Sequence, residues 1–360
     1  MKRSVLSVFL IVSVLLPFAA IRANAGAVYV SASSAALIDA DDKTVLYGKN
    51  ENVKMQPASL TKIMTAIVVI ETFDISKEIA VPVQAVGIEG SSAYLSEGEI
   101  FTCEELLYAL LLQSANDAAV TLAVAVCGSV EAFVSKMNEK AEELRLSGTH
   151  FSNPHGLPDK EHYSTSLDMA ALLSYCMDNG AFAKISGTET YIIKAAKGRK
   201  ARSFTNHNRL LSERIGVTGG KTGYTRSGGR CLCTYAERNG VRLCAVTLNA
   251  PDDWSDHRAL YKYGFGSYSP VTLDSAGVYG LHVVGGVIDS VTSTVYEDRT
   301  VYLRDGANIT KAVYMRRFEY APVYEGELTG YAVFFADGKE ICRVPLYADI
   351  TAAKKQTGFF

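Results

Sequence analysis

The sequence predicts an α/β (α+β) domain, a mostly antiparallel sheet flanked by helices, followed by a small all-β domain. Three observations carry this. Apolar helical blocks with capping residues fill much of the chain between Pro57 and Gly180. The stretch "RCLCTYAERNGVRLCAVTLNA" reads as a hairpin across Asn239–Gly240, a type I′ turn signal, and "DHRALYKYGF" then returns as helix. From about Ser267 the chain is almost all strand-like, with Asp305–Gly306 and Asp337–Gly338 as hairpin turns.

The composition agrees with this. The chain has 360 residues, 48% hydrophobic and 21% charged, which is globular and long enough for a sizeable core and two domains. A net charge of −2 and the lack of a basic stripe with interleaved aromatics give no reason to expect a nucleic-acid partner. One basic run, "KAAKGRKAR" (Lys194–Arg202), reads as a solvated loop or hairpin tip in preference to a polyanion contact.

Taken in order, the N-terminus shows Lys2 and Arg3, a short apolar run and an A-x-A pattern at Ala23–Ala25. This is a secretory signal (residues 1–25) with cleavage expected after Ala25, so the mature chain works outside the cytoplasm. The run is rather short for a spanning helix and carries Pro17 near its end. "AVYVSASSAALIDADDKTVLYGKN" gives two short strands around Asp39–Lys43. "PASLTKIMTAIVVIETF" is a helix opened by Pro57. Residues 79–101 are short strands and loops broken by Gly87, Gly90 and Gly98. Thr102 with Glu105 forms a capping box for the next helix, and Ser129 caps another. Residues 150–165 hold two prolines and a glycine and form a loop, after which "SLDMAALLSYCMDNG" is helical. The domains expected are 26–266 and 267–350, with a tail at 351–360. Seven cysteines, an odd number with no zinc or disulfide-framework spacing, read as buried free thiols.

The helix at Pro57 poses a chemical question, because it is apolar nearly all round yet carries Lys62 three residues after Ser59. At i and i+3 the two side chains share a face. Burial disfavours an ammonium, so Lys62 can take the serine proton and turn Ser59 into a nucleophile. The backbone N–H of a first-turn serine is also free to face an oxyanion. A Ser-x-x-Lys pair by itself is weak; about one is expected by chance in a chain this long. Two further motifs follow in order, "SAN" (Ser114–Asn116) after a helix and "GGKTGYT" (Gly219–Thr225) before a strand. Gly223 would let a substrate backbone lie along the strand edge.

Ser-x-x-Lys, Ser-x-Asn and Lys-Thr-Gly in that order resemble penicillin-binding proteins and serine β-lactamases. With "PASLTKIMTA", "SANDAA", "NPHGLPDKEHYSTSLDMA" and "KTGYT…GRCLCTYAERNGVRL", the chain is similar to the low-molecular-mass D-alanyl-D-alanine carboxypeptidases over nearly all its mature length. The resemblance implies a serine β-lactamase/DD-peptidase-like fold and an acyl-enzyme on Ser59, with Lys62 as proton acceptor. It implies Ser114 as proton relay, Asn116 holding substrate or Lys62, and Lys221 and Thr222 binding the terminal carboxylate. The N–H groups of Ser59 and Tyr224 would form the oxyanion hole beside Gly223. The partners implied are a peptidoglycan stem peptide ending in D-Ala-D-Ala and β-lactam antibiotics, with no cofactor and no metal.

Two residues depart from the commoner pattern: Tyr224 stands where some members have histidine, and Ser166 where alanine is usual. The tail "DITAAKKQTGFF" lacks a long amphipathic helix, leaving only weak membrane-surface contact through Lys354, Lys355 and Phe359–Phe360. His150, His155 and His162 share one loop without metal-ligand spacing and are read as loop structure and cleft lining. His207 is placed near the cleft or in a structural role. Two other functions compete: a β-lactamase, which would need a deacylating glutamate not found between the second and third motifs, and a non-catalytic penicillin sensor or wall-binding protein.

Overall fold

The computed structural model describes residues 28–195, 199–274, 277–294 and 299–356. The expected signal segment, Lys197 of the basic run and Phe359–Phe360 lie outside the described residues. The chain divides into two compact units between Gly266 and Ser267.

In the first unit, β1 (Ser34–Asp39) and β2 (Val45–Lys49) form a hairpin. A 3-10 turn over Ala58–Thr61 leads into α1 (Lys62–Thr72). The expected helix therefore starts one turn late. Ala58 sits at φ +48°, a left-handed conformation that no α-helix accommodates, so Ser59 rides on a tight turn ahead of α1. Next come β3 (Glu78–Ala80) and its partner β4 (Ile100–Thr102). The capping box of Thr102 and Glu105 opens α2 (Cys103–Leu112). Then follow α3 (Asn116–Cys127), α4 (Val130–Glu143, capped by Ser129) and α5 (Ser166–Met177, capped by Thr165). After α6 (Gly180–Ser186), a hairpin of β5 (Thr190–Ile193) and β6 (Arg202–Thr205) precedes three long strands. These are β7 (Val217–Thr225), β8 (Gly229–Arg238) and β9 (Val241–Leu248), followed by α7 (Asp253–Phe265).

The main sheet has the order β2-β1-β9-β8-β7 and is antiparallel throughout. Asn239 and Gly240 adopt φ +53° and +79°, as the I′ turn requires. Both faces of the sheet are covered, which explains why β9 reads as a continuous apolar run. Cys244, Val246 and Leu248 join the core that holds α1, α2, α3 and α5. Thr247 points the other way, to His257 of α7 (3.1 Å). Strand β7 ends the sheet, so its outer edge faces the Ser59 turn. All seven cysteines are free thiols, five of them buried.

In the second unit, β10 (Tyr268–Leu273) pairs with β13 (Arg299–Arg304). Strands β11 (Tyr279–Val284), β12 (Ser290–Thr294), β14 (Ile309–Met315), β15 (Phe318–Tyr320), β16 (Leu328–Ala336) and β17 (Lys339–Ala348) form a six-stranded sheet. Its order is β14-β16-β17-β12-β11-β15. Asp337 and Gly338 (φ +49° and +83°) make the hairpin turn from β16 to β17. The Asp305–Gly306 turn is not a hairpin. It turns the chain, but β13 pairs with β10 and β14 with β16, two sheets whose apolar faces, Val301 of β13 and Ile309 and Val313 of β14, meet in one core. Among the described residues no single helix is long and apolar enough to cross a membrane.

Candidate active site

The 3-10 turn eclipses positions i and i+3, so Ser59 and Lys62 meet directly. Lys62 Nζ lies 3.0 Å from Ser59 Oγ, 2.7 Å from Asn116 Oδ1 and 2.6 Å from the His155 carbonyl. Lys62 is fully buried while Ser59 is half-buried at the floor of a cleft. Burial, reinforced by the charge of Lys221, pushes the Lys62 amine well below its ordinary range, against an opposing pull from Asp117. Two carbonyl oxygens engage two of its N–H bonds, and the third position faces the serine. In the neutral amine that position is the lone pair, aimed at the hydroxyl proton.

Asn116 opens α3 and is held in turn, its Nδ2 donating to the Glu89 carbonyl at 2.6 Å. Ser114, at φ +61° in the short link between α2 and α3, turns into the cleft opposite Ser59. Across from them runs β7. A Cβ added at Gly223 would sit 3.0 Å from the Ser59 nitrogen, so only glycine lets the strand edge approach the turn this closely. Thr222, Gly223 and the exposed Tyr224 line the cleft. Lys221 lies beneath the surface, 1% exposed, and donates to the Thr222 carbonyl at 2.9 Å; burial lowers its amine to about 7.

The residues at 21–252 match the family model described as D-alanyl-D-alanine carboxypeptidase. The chain belongs to this family. It is 33% identical over 330 residues to D-alanyl-D-alanine carboxypeptidase DacF of Bacillus subtilis, covering 88% of this chain and 85% of that protein. The D-alanyl-D-alanine carboxypeptidase of Mycobacterium tuberculosis superposes with a TM-score of 0.62 at 30% identity, over 67% of this chain and 94% of its own. Penicillin binding protein 5 from Haemophilus influenzae superposes with a TM-score of 0.64 at 25% identity, over 91% and 98%. The protein is therefore a serine-type D-Ala-D-Ala carboxypeptidase, a hydrolase of the DD-peptidase fold.

The three motifs of this carboxypeptidase, far apart in sequence, converge on one cleft of about 570 Å³. Its described lining also contains residues to which the sequence offered no pointer. Ser91 lies in the wall, and its carbonyl accepts from the Asn116 N–H at 2.8 Å. Arg230, directly across from Tyr224 in the β7–β8 register, bonds Asp253 Oδ1 through Nε (3.1 Å) and Nη2 (2.7 Å). Trp254 lies under its guanidinium. Asp117, next to Asn116, accepts from Ser92 Oγ and from the N–H groups of Ala93 and Leu95, pinning the cleft-side loop. For Asp117 the only signal was its place beside a motif residue; Arg230 had none, because the pairing of β7 with β8 that sets it across from Tyr224 was not among the expected hairpins.

The histidines separate. His155 offers its carbonyl to Lys62 while burial and the Lys62 charge hold its imidazole down to about 3. His162 is buried behind the Ser59 turn, and His150 lies near the surface with Nδ1 at 2.5 Å from the Glu161 carbonyl. His207 lines the cleft. Ser166 lies 2.8 Å from Ser34 Oγ, well away from the cleft.

Proposed function

We propose that this carboxypeptidase removes the terminal D-alanine from peptidoglycan stem peptides through an acyl-enzyme on Ser59, on the outer side of the cytoplasmic membrane. The observation that carries the reading is the buried Lys62 amine 3.0 Å from the Ser59 hydroxyl. Lys62 takes the Ser59 proton as the oxygen attacks the penultimate carbonyl. The tetrahedral oxyanion is met by the N–H groups of Ser59 and Tyr224. Ser114 passes a proton to the departing D-alanine amine, and water then releases the acyl group by the reverse path. Asn116 orients Lys62, since both ends of its amide are occupied by Lys62 and Glu89. Thr222 touches the substrate's carboxylate, and Lys221 supplies positive potential from just beneath it. A β-lactam carries the same carboxylate and an acylating carbonyl, and it would occupy the same site.

The basic, apolar and A-x-A pattern before Gly26 supports export. The one carboxylate in the described cleft lining, Asp253, is tied to Arg230, which leaves it unsuited to activating a deacylating water and speaks against a β-lactamase. The test combines a fluorescent penicillin with a D-Ala-D-Ala peptide. Stable labelling lost in Ser59→Ala, together with D-alanine release by the wild type, is the expected result. Labelling that survives Ser59→Ala would remove Ser59 as nucleophile; rapid loss of label with antibiotic turnover would make the protein a β-lactamase.

A further inference from the structure

The residue between the two chemical partners, Thr61, faces away from the cleft. Its Oγ1 lies 2.8 Å from the Ala58 carbonyl and 2.7 Å from His162 Nε2, and all three residues are buried. The proton positions in this chain follow from its far end. The Ser152 N–H donates to His162 Nδ1 at 3.0 Å, so that nitrogen carries no proton. Burial holds this imidazole down to about 4, so near neutral pH its single N–H sits on Nε2. It donates to Thr61 Oγ1, and the one Thr61 proton is left for the Ala58 carbonyl. The chain has one consistent direction: Ser152 to His162 to Thr61 to Ala58.

The receiving peptide is the one that matters for catalysis. In a trans peptide the C=O of residue i and the N–H of residue i+1 point in opposite directions. Pinning the Ala58 oxygen from behind therefore aims the Ser59 N–H forward, and the Ser59 nitrogen does face the edge of β7 at Gly223. This peptide needs restraint, because Ala58 sits at φ +48°, where a non-glycine residue is strained. Gly156 supports it sterically, since a Cβ there would come 1.9 Å from the Ala58 oxygen.

We infer that His162, acting through Thr61, is a positioning residue that fixes the Ala58–Ser59 peptide plane and so aims the Ser59 N–H at the developing oxyanion. The inference rests on the reading of Ser59 as nucleophile given above. It concerns the transition state and not the substrate complex, so its mark is a fall in kcat with KM little changed.

The test measures D-alanine release from a D-Ala-D-Ala peptide by the full chain and five variants, Ser59→Ala among them, with Tm for each. Removing an oxyanion donor costs roughly 10²–10³ in rate, and misaiming one should cost less, about 10- to 100-fold. Thr61→Val, which keeps shape and removes the hydroxyl, should show that loss in kcat with KM within about threefold. Thr61→Ser should keep most of the activity. His162→Asn retains only the Nδ1-like acceptor and should behave like Thr61→Val, whereas His162→Gln, whose amide reaches the Nε2 position, should recover kcat to within a few-fold. Wild-type kcat in Thr61→Val, a loss confined to KM, or His162→Gln as poor as His162→Asn would overturn the inference. If the His162 variants do not fold, the contrast of Thr61→Val with Thr61→Ser decides. Ser59→Ala that stays active would sink the underlying reading; Ser59→Ala inactive with Thr61→Val unimpaired would sink this inference alone.

Discussion

In the first unit two lysines, Lys62 and Lys221, are at most 1% exposed, and neither is paired with a carboxylate. The β-rich unit has no counterpart among its described residues. Its buried positions are apolar apart from Ser293 and Thr329, which satisfy each other with a 2.7 Å hydrogen bond. Its ion pairs, such as Arg343–Glu340 and Lys355–Asp289, lie at the surface. Burying an amine without a counter-ion lowers stability, and the cost shows as a depressed pKa. One unit carries that cost at the place where a low-pKa amine has chemistry to do. The other is built as a sheet protein ordinarily is, with no buried lysine, arginine or carboxylate residue among its described residues.

The sharpest way to break this contrast is to remove the amine that does the work. Lys62→Ala should slow acylation by a fluorescent penicillin roughly 10²–10⁴-fold, the range of a lost general base, with the circular dichroism spectrum unchanged. Near-normal acylation would mean that the buried charge is not the base.

Lys221→Met tests the cost directly. With the folded pKa at about 7 against an ordinary 10.5, the unfolded chain holds the extra proton between those values, so wild-type stability from this group rises with pH across that window. The penalty is full below pH 7. The variant should therefore melt several degrees higher than wild type at pH 6, and the gap should shrink as pH rises toward 10. Substrate affinity should move the other way, with KM increased in the variant and, in the wild type, rising as pH passes about 7 and Lys221 loses its charge. A variant that melts lower at pH 6 would refute the penalty.

Phe334→Ala in β16 should cost about 3–5 kcal/mol of local stability, read as faster hydrogen exchange across β16 and β17, while kcat and KM stay at wild-type values. A matching loss of catalysis would show that the β-rich unit shapes the cleft. The smallest effect is expected from Arg343→Ala, whose partner Glu340 is well exposed: no resolvable change in Tm or activity.

Much of this was legible in the sequence because it is local. The Thr102/Glu105 capping box, the Asn239–Gly240 turn and the Asp337–Gly338 turn are each settled by a few adjacent residues, and the structure has all three. The Asp305–Gly306 turn differs, because a turn signal fixes the reversal of the chain but not which strand each arm will join; β13 pairs with β10 and β14 with β16 around one shared core. The start of α1 departs from the expectation for a similar reason. Nothing in Pro57-Ala58-Ser59 announces a left-handed alanine, which is held by Thr61, His162 and the close approach of Gly156.

The amino-acid order alone determined which groups are held together by spacing: Ser59 in contact with Lys62, Ser114 and Asn116 on one link, and a lysine, threonine and glycine on one strand. It also indicated that the amine would be buried, since the helix that carries it is apolar nearly all round. Only the tertiary structure decided that His155 and Asn116 would hold Lys62, that Lys221 would lie under the cleft surface, and that Arg230 would enter the cleft from the next strand. Those contacts join residues up to 93 positions apart or across two strands. Their energies come from burial and hydrogen-bond geometry that exist only once the chain has closed on itself.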